Sequence, residues 1–264
     1  VLSPMPGLLV DVAVQPGQKV QAGERVAVIE AMKMENVLFA TADGVVLIYD
    51  GSGQCSGALI APTVVLTVAH CLTNPTVGDY LVRGGLSPLQ NALFTISASE
   101  IHQHPSYDPN DASHDVGVLI LASAAPATPL PWLPADAGYY TLGTQVGMIG
   151  YGVTGSSATD DGIRRSGVAP ISEVSAGVFF TDNTNGQGMC SGDAGGPAIT
   201  TDELNPGVVI GVSSFGDQFC AEYSAFQRTD ANADFIELYA PEPSALASVG
   251  IALGALFALA RRRG

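Results

Sequence analysis

Three short stretches of the 264-residue chain carry side chains suited to acid–base and nucleophilic chemistry. In "GQCSGALIAPTVVLTVAHCL", His70 stands directly before Cys71 at the end of an apolar run. In "SHDVGVLIL", Asp115 heads a second apolar run, and in "GMCSGDAGGPAI", residues 188–199, a glycine-rich turn holds Asp193 and Ala194. An imidazole can take and return a proton near neutral pH, a carboxylate can orient it, and a tight turn can aim backbone N–H groups at a developing negative charge. Glycine tolerates backbone angles there that a side chain forbids. Covalent catalysis further needs a hydroxyl or thiol, and Ala194 offers only a methyl group.

The elements that must hold these residues are strands. With 31 glycines and 17 prolines the chain reads as many short strands joined by turns, an all-β body. Four cysteines divide into Cys55 with Cys71 and Cys190 with Cys220, each pair bracketing apolar sequence. No CxxC or Cys/His metal spacing occurs, so disulfides formed in an oxidising compartment are expected. The formal net charge is −15, and between residues 51 and 243 only Arg83, Arg164, Arg165 and Arg228 are basic, which argues against a nucleic-acid partner. His102 and His104 read as surface and turn residues and His114 as solvated; with no third ligand beside them, no metal is expected.

Composition divides the chain into residues 1–46, 47–240 and 241–264. The first part alternates apolar and polar residues in "LLVDVAV" and "RVAVIEA", separated by "QPGQ" and "QAGE", the pattern of a β-meander. Its "EAMKMEN", with the upstream "PMPG", resembles the biotinyl (biotin carboxyl carrier) domain, in which the lysine between the methionines carries biotin; here that is Lys33. The resemblance implies a β segment of that type, truncated by the loss of its last strands, with biotin as the cofactor.

The order of His70, Asp115 and the "SGDAGG" turn, with "HPSYD", "VGMIGYG" and "GVSSFG" around them, resembles the chymotrypsin/trypsin family of serine peptidases. That resemblance implies two antiparallel β-barrels with the site in the cleft between them, and a polypeptide as substrate or ligand. His70 is then the general base, Asp115 its orienting carboxylate, and Ser214 a support for that carboxylate. Gly192 and Ala194 supply the oxyanion N–H groups, Ala194 standing at the serine position. Gly188 would form the base of the primary specificity pocket, with Ser214, Gly216 and Ala225 along its walls; lacking a charge there, the pocket suits a small or medium apolar side chain. Asp193 would need a freed Ile or Val N-terminus as its partner. Since no such start is readable, Asp193 is expected to turn outward or take up a proton, and the oxyanion turn to relax. "VVLIY" is a candidate first strand of the peptidase body.

The third part, "APEPSALASVGIALGALFALARRRG", is apolar or small from Ser244 to Ala260 and ends in three arginines, the pattern of a membrane-spanning helix with a basic cytoplasmic end. It resembles a PEP-CTERM sorting tail, which implies an exosortase-type processing partner, a membrane contact, and a body exported to the periplasm, membrane surface or exterior of a Gram-negative bacterium. The sequence thus points to a trypsin-like serine endopeptidase, inactive at Ala194. The alternatives are a biotin carrier working through Lys33 and a non-catalytic binding module.

Overall fold

The structure is a computed structural model and describes residues 8–15, 25–31, 34–39, 44–155, 162–201 and 207–240. Lys33, the "PMPG" stretch and the tail from 241 to 264 lie outside the described residues. Strands β1 (Leu8–Val12), β2 (Arg25–Ala31) and β3 (Met34–Phe39) form an antiparallel sheet in the order β1-β2-β3, the meander that the alternating runs imply. Ala31 pairs with Met34 across β2 and β3.

Six strands then close a first barrel: β4 (Val45–Tyr49), β5 (Gln54–Ala61), β6 (Val64–Thr67), β7 (Leu81–Gly84), β8 (Phe94–Gln103) and β9 (Gly117–Leu121), in the order β4-β5-β6-β9-β8-β7. The boundary expected between residues 46 and 47 falls inside β4. That strand pairs with β5 and β7 and is buried from Val45 to Ile48, so the barrel begins at Val45. "VVLIY" is its first strand.

A second barrel follows: β10 (Gln145–Gly150), β11 (Arg165–Val174), β12 (Val178–Asp182), β13 (Pro197–Thr200), β14 (Val209–Gly216) and β15 (Tyr223–Arg228), in the order β10-β11-β12-β15-β14-β13. Closing both sheets leaves neither with an exposed edge. The short helix α1 (Ala233–Ile236) ends the described chain. Among the described residues no helix is long and apolar enough to cross a membrane.

Each barrel has its own apolar filling, Leu59, Val65, Val82 and Leu119 in the first and Met148, Ile171, Phe179 and Phe226 in the second. A third cluster joins them, Leu47 and Leu66 meeting Ile149, Ile199 and Val212, with Phe235 and Ile236 of α1 sealing its side. Fully burying one such side chain contributes about 1.5–3 kcal/mol, so this seam resists separation of the barrels. Tyr151 crosses it: fully buried, its hydroxyl lies 3.0 Å from the Val45 carbonyl and 2.7 Å from that of Gly85. The cleft between the barrels therefore has fixed walls.

Candidate active site

β6 runs into a 3₁₀ turn, Ala69–Cys71, in which Ala69 and Cys71 are buried, and His70 between them keeps 38% of its side chain exposed. Asp115, just before β9, is 1% exposed. Its Oδ1 accepts the His70 backbone N–H at 2.9 Å, and its Oδ2 lies 2.7 Å from His70 Nδ1. The Ser214 hydroxyl donates to the same Oδ2 at 2.5 Å. A buried carboxylate so placed favours the tautomer with the proton on Nδ1, which leaves the Nε2 lone pair for a proton from a reacting group.

The turn at residues 190–196 faces this pair from the second barrel. Its shape depends on Gly192 and Gly195, whose φ angles of +93° and +84° a side chain rarely adopts. Gly195 N–H donates to Ser213 O at 2.7 Å and Gly196 N–H to Asp193 O at 2.8 Å. Ser56, fully buried beside Cys55, ties the turn to the first barrel: its N–H donates to Ala194 O at 2.8 Å and its hydroxyl to Gly192 O at 2.9 Å. With those carbonyls held, the N–H groups of Gly192 and Ala194 have no acceptor among the described residues. Two unengaged donors on one turn beside an imidazole are what a developing oxyanion requires. The disulfides Cys55–Cys71 and Cys190–Cys220 fasten the two sides.

The expectation that Asp193 turns outward is corrected by its position. It is 7% exposed, and its carboxylate accepts the Gly152 N–H at 2.7 Å and the Cys190 N–H at 2.9 Å. It can lie there because positions 150 and 152 are glycines; a Cβ on either would collide with the carboxylate. Asp193 N–H in turn donates to Cys190 O at 2.9 Å, so the carboxylate braces the turn rather than leaving it slack.

His70, Ala194, Gly192, Ser214 and Gly216 line one cleft of about 530 Å³, together with Gln54 and Phe215. Gly188 and Ala225 do not line it. Gly188 borders the neighbouring cavity of about 280 Å³ at Asp193, while Ala225 is fully buried in β15, opposite Phe180 and Phe215. The space beneath Gly188 is taken by Asn183, whose Nδ2 donates to Ser224 Oγ at 2.8 Å; the same Oγ accepts the Met189 N–H at 2.9 Å. Asp217, at the mouth, is occupied with its own loop. Desolvation opposes its charge, but N–H groups from Glu222, Tyr223, Ala221 and Phe219 outweigh that and hold its carboxyl at about 2.

Sequence reasoning passed over Ser56, Gln54, Asn183, Ser224 and Tyr151. Gln54 Nε2 donates to Tyr151 O at 3.0 Å across the cleft. Serine, asparagine and glutamine have no spacing signature; only the neighbourhood of Ser56 to Cys55 hinted at the site.

The remaining histidines pack against the last described elements, residues 232–239. His102 stacks on Tyr239 with its Nε2 2.9 Å from Glu100, and His104 stacks on His114 with ring centroids 4.5 Å apart. His114 is exposed but not merely solvated, its Nδ1 lying 3.2 Å from Asn232 Oδ1. Burial, and then the neighbouring His114, hold His104 below the usual imidazole range. Among the described residues one group of three metal-ligating side chains comes together, Cys55, His70 and Cys71, and the disulfide occupies both of its sulfurs.

A sequence model described as "Trypsin" matches residues 41–236, and one described as "Biotin-requiring enzyme" matches residues 1–54. A trypsin of Saccharopolyspora erythraea is 28% identical over 181 residues, 64% of this chain and 78% of its own length. Brachyurin of Leptuca pugilator is 30% identical over 213 residues, 72% of this chain and 89% of its own. The solved structure of mouse neuropsin, a serine protease, superposes with a TM-score of 0.64 at 22% identity, over 75% of this chain and 94% of that one, a likeness of fold.

Proposed function

The chain belongs to the trypsin family of serine peptidases, and on that premise we propose that its cleft is an endopeptidase site that takes a polypeptide and does not cut it. The observation that carries this reading is the hydrogen-bonded line from His70 through Asp115 to Ser214 beside a turn whose Gly192 and Ala194 N–H groups are unengaged. In the reaction these residues suit, His70 would take the nucleophile's proton and return it to the leaving amine. Asp115 would hold the tautomer and stabilise the imidazolium, and the two N–H groups would receive the oxyanion. Ala194 stands where the hydroxyl is required, and losing the nucleophile costs about a millionfold in turnover. We read the cleft as suited to a small or medium apolar side chain before the scissile bond, because the one carboxylate among its described lining residues, Asp217, is committed to backbone N–H groups.

Cleavage of peptide p-nitroanilides bearing Ala, Val or Leu at that position tests this. The chain as it stands should release nothing, and Ala194→Ser should release p-nitroaniline; a folded Ala194→Ser variant inert toward every such peptide, or hydrolysis by the unaltered chain, overturns the reading.

A second reading rests on the match of residues 1–54 and the β1-β2-β3 meander: biotinylation of Lys33. The fit is partial, because the next strand, β4, pairs within the first barrel and cannot close that sheet. No step of the proposed chemistry passes through biotin. A streptavidin blot after expression with a biotin ligase decides it, signal lost in Lys33→Arg supporting the carrier and absence of signal removing it. The body, with its two disulfides, fits an exported protein, and residues 241–264 are proposed as the sorting segment that an exosortase-type enzyme processes at the membrane.

A further inference from the structure

His70 borders two cavities, the cleft of about 530 Å³ and a smaller one of about 180 Å³. Gln54 and Cys55 are shared by both, while Ala194, Ser214 and Gly216 line the cleft and not the smaller cavity. That division sorts the two halves of a bound polypeptide. The carbonyl to be attacked must face the Gly192 and Ala194 N–H groups, in the cleft, and the leaving amine must lie where His70 can hand it a proton. The chain that follows the scissile bond therefore runs past His70 into the smaller cavity.

Asp50 lines that cavity, and apart from His70 and the bridged cysteines it is the one ionisable side chain among the described residues that do. The sequence fixes it in place. Asp50 follows β4 in the turn to β5, where Gly51 holds a φ of +89°. Its Oδ1 accepts the N–H groups of Ser52 at 2.9 Å and Gly53 at 3.0 Å and the Ser52 hydroxyl at 2.8 Å, the pattern by which an aspartate closes a turn on its own backbone. Asn74 Nδ2 donates to Asp50 O at 3.3 Å, which ties the turn to the loop after His70. Burial opposes the Asp50 charge, but the bonds from Ser52 and Gly53 outweigh it and hold the carboxyl below the usual carboxylate range, so it is ionised at neutral pH. All of these donors sit on Oδ1, and Oδ2 has no partner among the described residues. A cavity with one fixed carboxylate and neither lysine nor arginine on its described walls complements a cationic side chain.

We propose that Asp50 is a specificity-determining residue for the leaving side of the substrate, selecting a polypeptide with lysine or arginine at one of the first two positions after the scissile bond. The proposal deepens the peptidase reading and rests on it for the direction in which the bound chain runs. The two sides of His70 then differ in kind: an apolar side chain is taken before the bond and a basic one after it. Because the preference is electrostatic, it must weaken with salt and vanish when the Asp50 charge is removed. Asparagine in its place keeps an oxygen for the Ser52 and Gly53 N–H groups, so the turn is retained while the charge is lost.

The test has two arms. In the first, fluorescent peptides that share a leucine before the scissile bond and carry Arg, Ala or Glu at either of the first two positions after it are titrated against the unaltered chain, and binding is read by anisotropy. The Arg peptide should bind about threefold to fivefold more tightly than the Ala peptide at low salt and the Glu peptide more weakly than either, the spread closing toward about 1 M salt. Asp50→Asn should remove the spread. Asp79→Asn should keep it, since the Asp79 carboxylate lies 3.3 Å from Asn74 Nδ2 and does not line the cavity. Equal affinities at both positions, a spread unchanged in folded Asp50→Asn, or a spread abolished by Asp79→Asn overturns the proposal. In the second arm, Ala194→Ser should cleave the same peptides with kcat/KM in the same order; cleavage without preference overturns the role of Asp50 alone. An inert Ala194→Ser chain speaks against the peptidase reading instead, and the binding arm still decides the role of Asp50. Failure of every peptide to bind the unaltered chain overturns both.

Discussion

His70 Nδ1 lies 2.7 Å from Asp115 Oδ2, and the same Asp115 carboxylate takes the backbone N–H of His70 on its other oxygen at 2.9 Å. The imidazole is thus fixed by ring and by backbone to one buried group. Replacing that carboxylate by an amide keeps the shape but can present an N–H to Nδ1, which reverses the tautomer. In the Ala194→Ser background, Asp115→Asn should lower kcat about 10⁴-fold with little change in thermal stability. A loss below tenfold would show that His70 does not depend on Asp115 for its tautomer.

Ser56 joins the two barrels through three bonds. Its hydroxyl accepts the Tyr151 N–H at 3.0 Å and donates to Gly192 O at 2.9 Å, and its own N–H holds Ala194 O. Ser56→Ala strands a buried N–H and a carbonyl, so it should destabilise the fold by about 1–3 kcal/mol in denaturant titration. Unchanged stability would mean that water replaces the hydroxyl.

The Cys190–Cys220 bridge spans 30 residues and carries the turn at one end. Replacing both cysteines by serine should cost about 3–4 kcal/mol by the loop-entropy relation, measured as a lowered denaturation midpoint. Peptide mapping without reduction should recover Cys55 with Cys71 and Cys190 with Cys220; a crossed pairing would contradict the described cleft.

His104 is held below the ordinary imidazole pKa, first by burial and then by His114. The unfolded chain therefore binds a proton more readily than the folded one. Stability is full above about pH 6.5, the unfolded value, and declines as pH falls toward the lowered folded value. The melting temperature of the unaltered chain should fall more between about pH 7 and 5 than that of His104→Gln. Parallel declines would assign the acid sensitivity to other groups.

Much of the architecture was legible because its signals are local. The cysteine pairs, the strand end before His70, the strand head after Asp115, and the glycines of the 190–196 turn each sit in a short motif whose backbone needs are visible in the residues themselves. What escaped was set by tertiary geometry. Asp193 was expected to swing out or take up a proton; it stays inward, accepting the Gly152 and Cys190 amides, which leave no trace in side-chain identity. The placement of Gly188 and Ala225 depended on aligning loops around Cys190 whose lengths the sequence does not disclose; Asn183 and Ser224 occupy the space beneath instead. The domain boundary slipped by two residues because β4 is apolar on both sides of it, and only its pairing with β7 tells to which body it belongs.

The central claim is that the cleft lacks a hydroxyl at position 194 and nothing else, and the most direct measurement is the mass of the protein after reaction with a fluorophosphonate. The unaltered chain should gain nothing, and Ala194→Ser should gain one phosphonyl group per molecule, located on the peptide spanning residues 190–196, without any added peptide activator. A folded Ala194→Ser variant that remains unmodified, or an unaltered chain that is modified, would contradict the account.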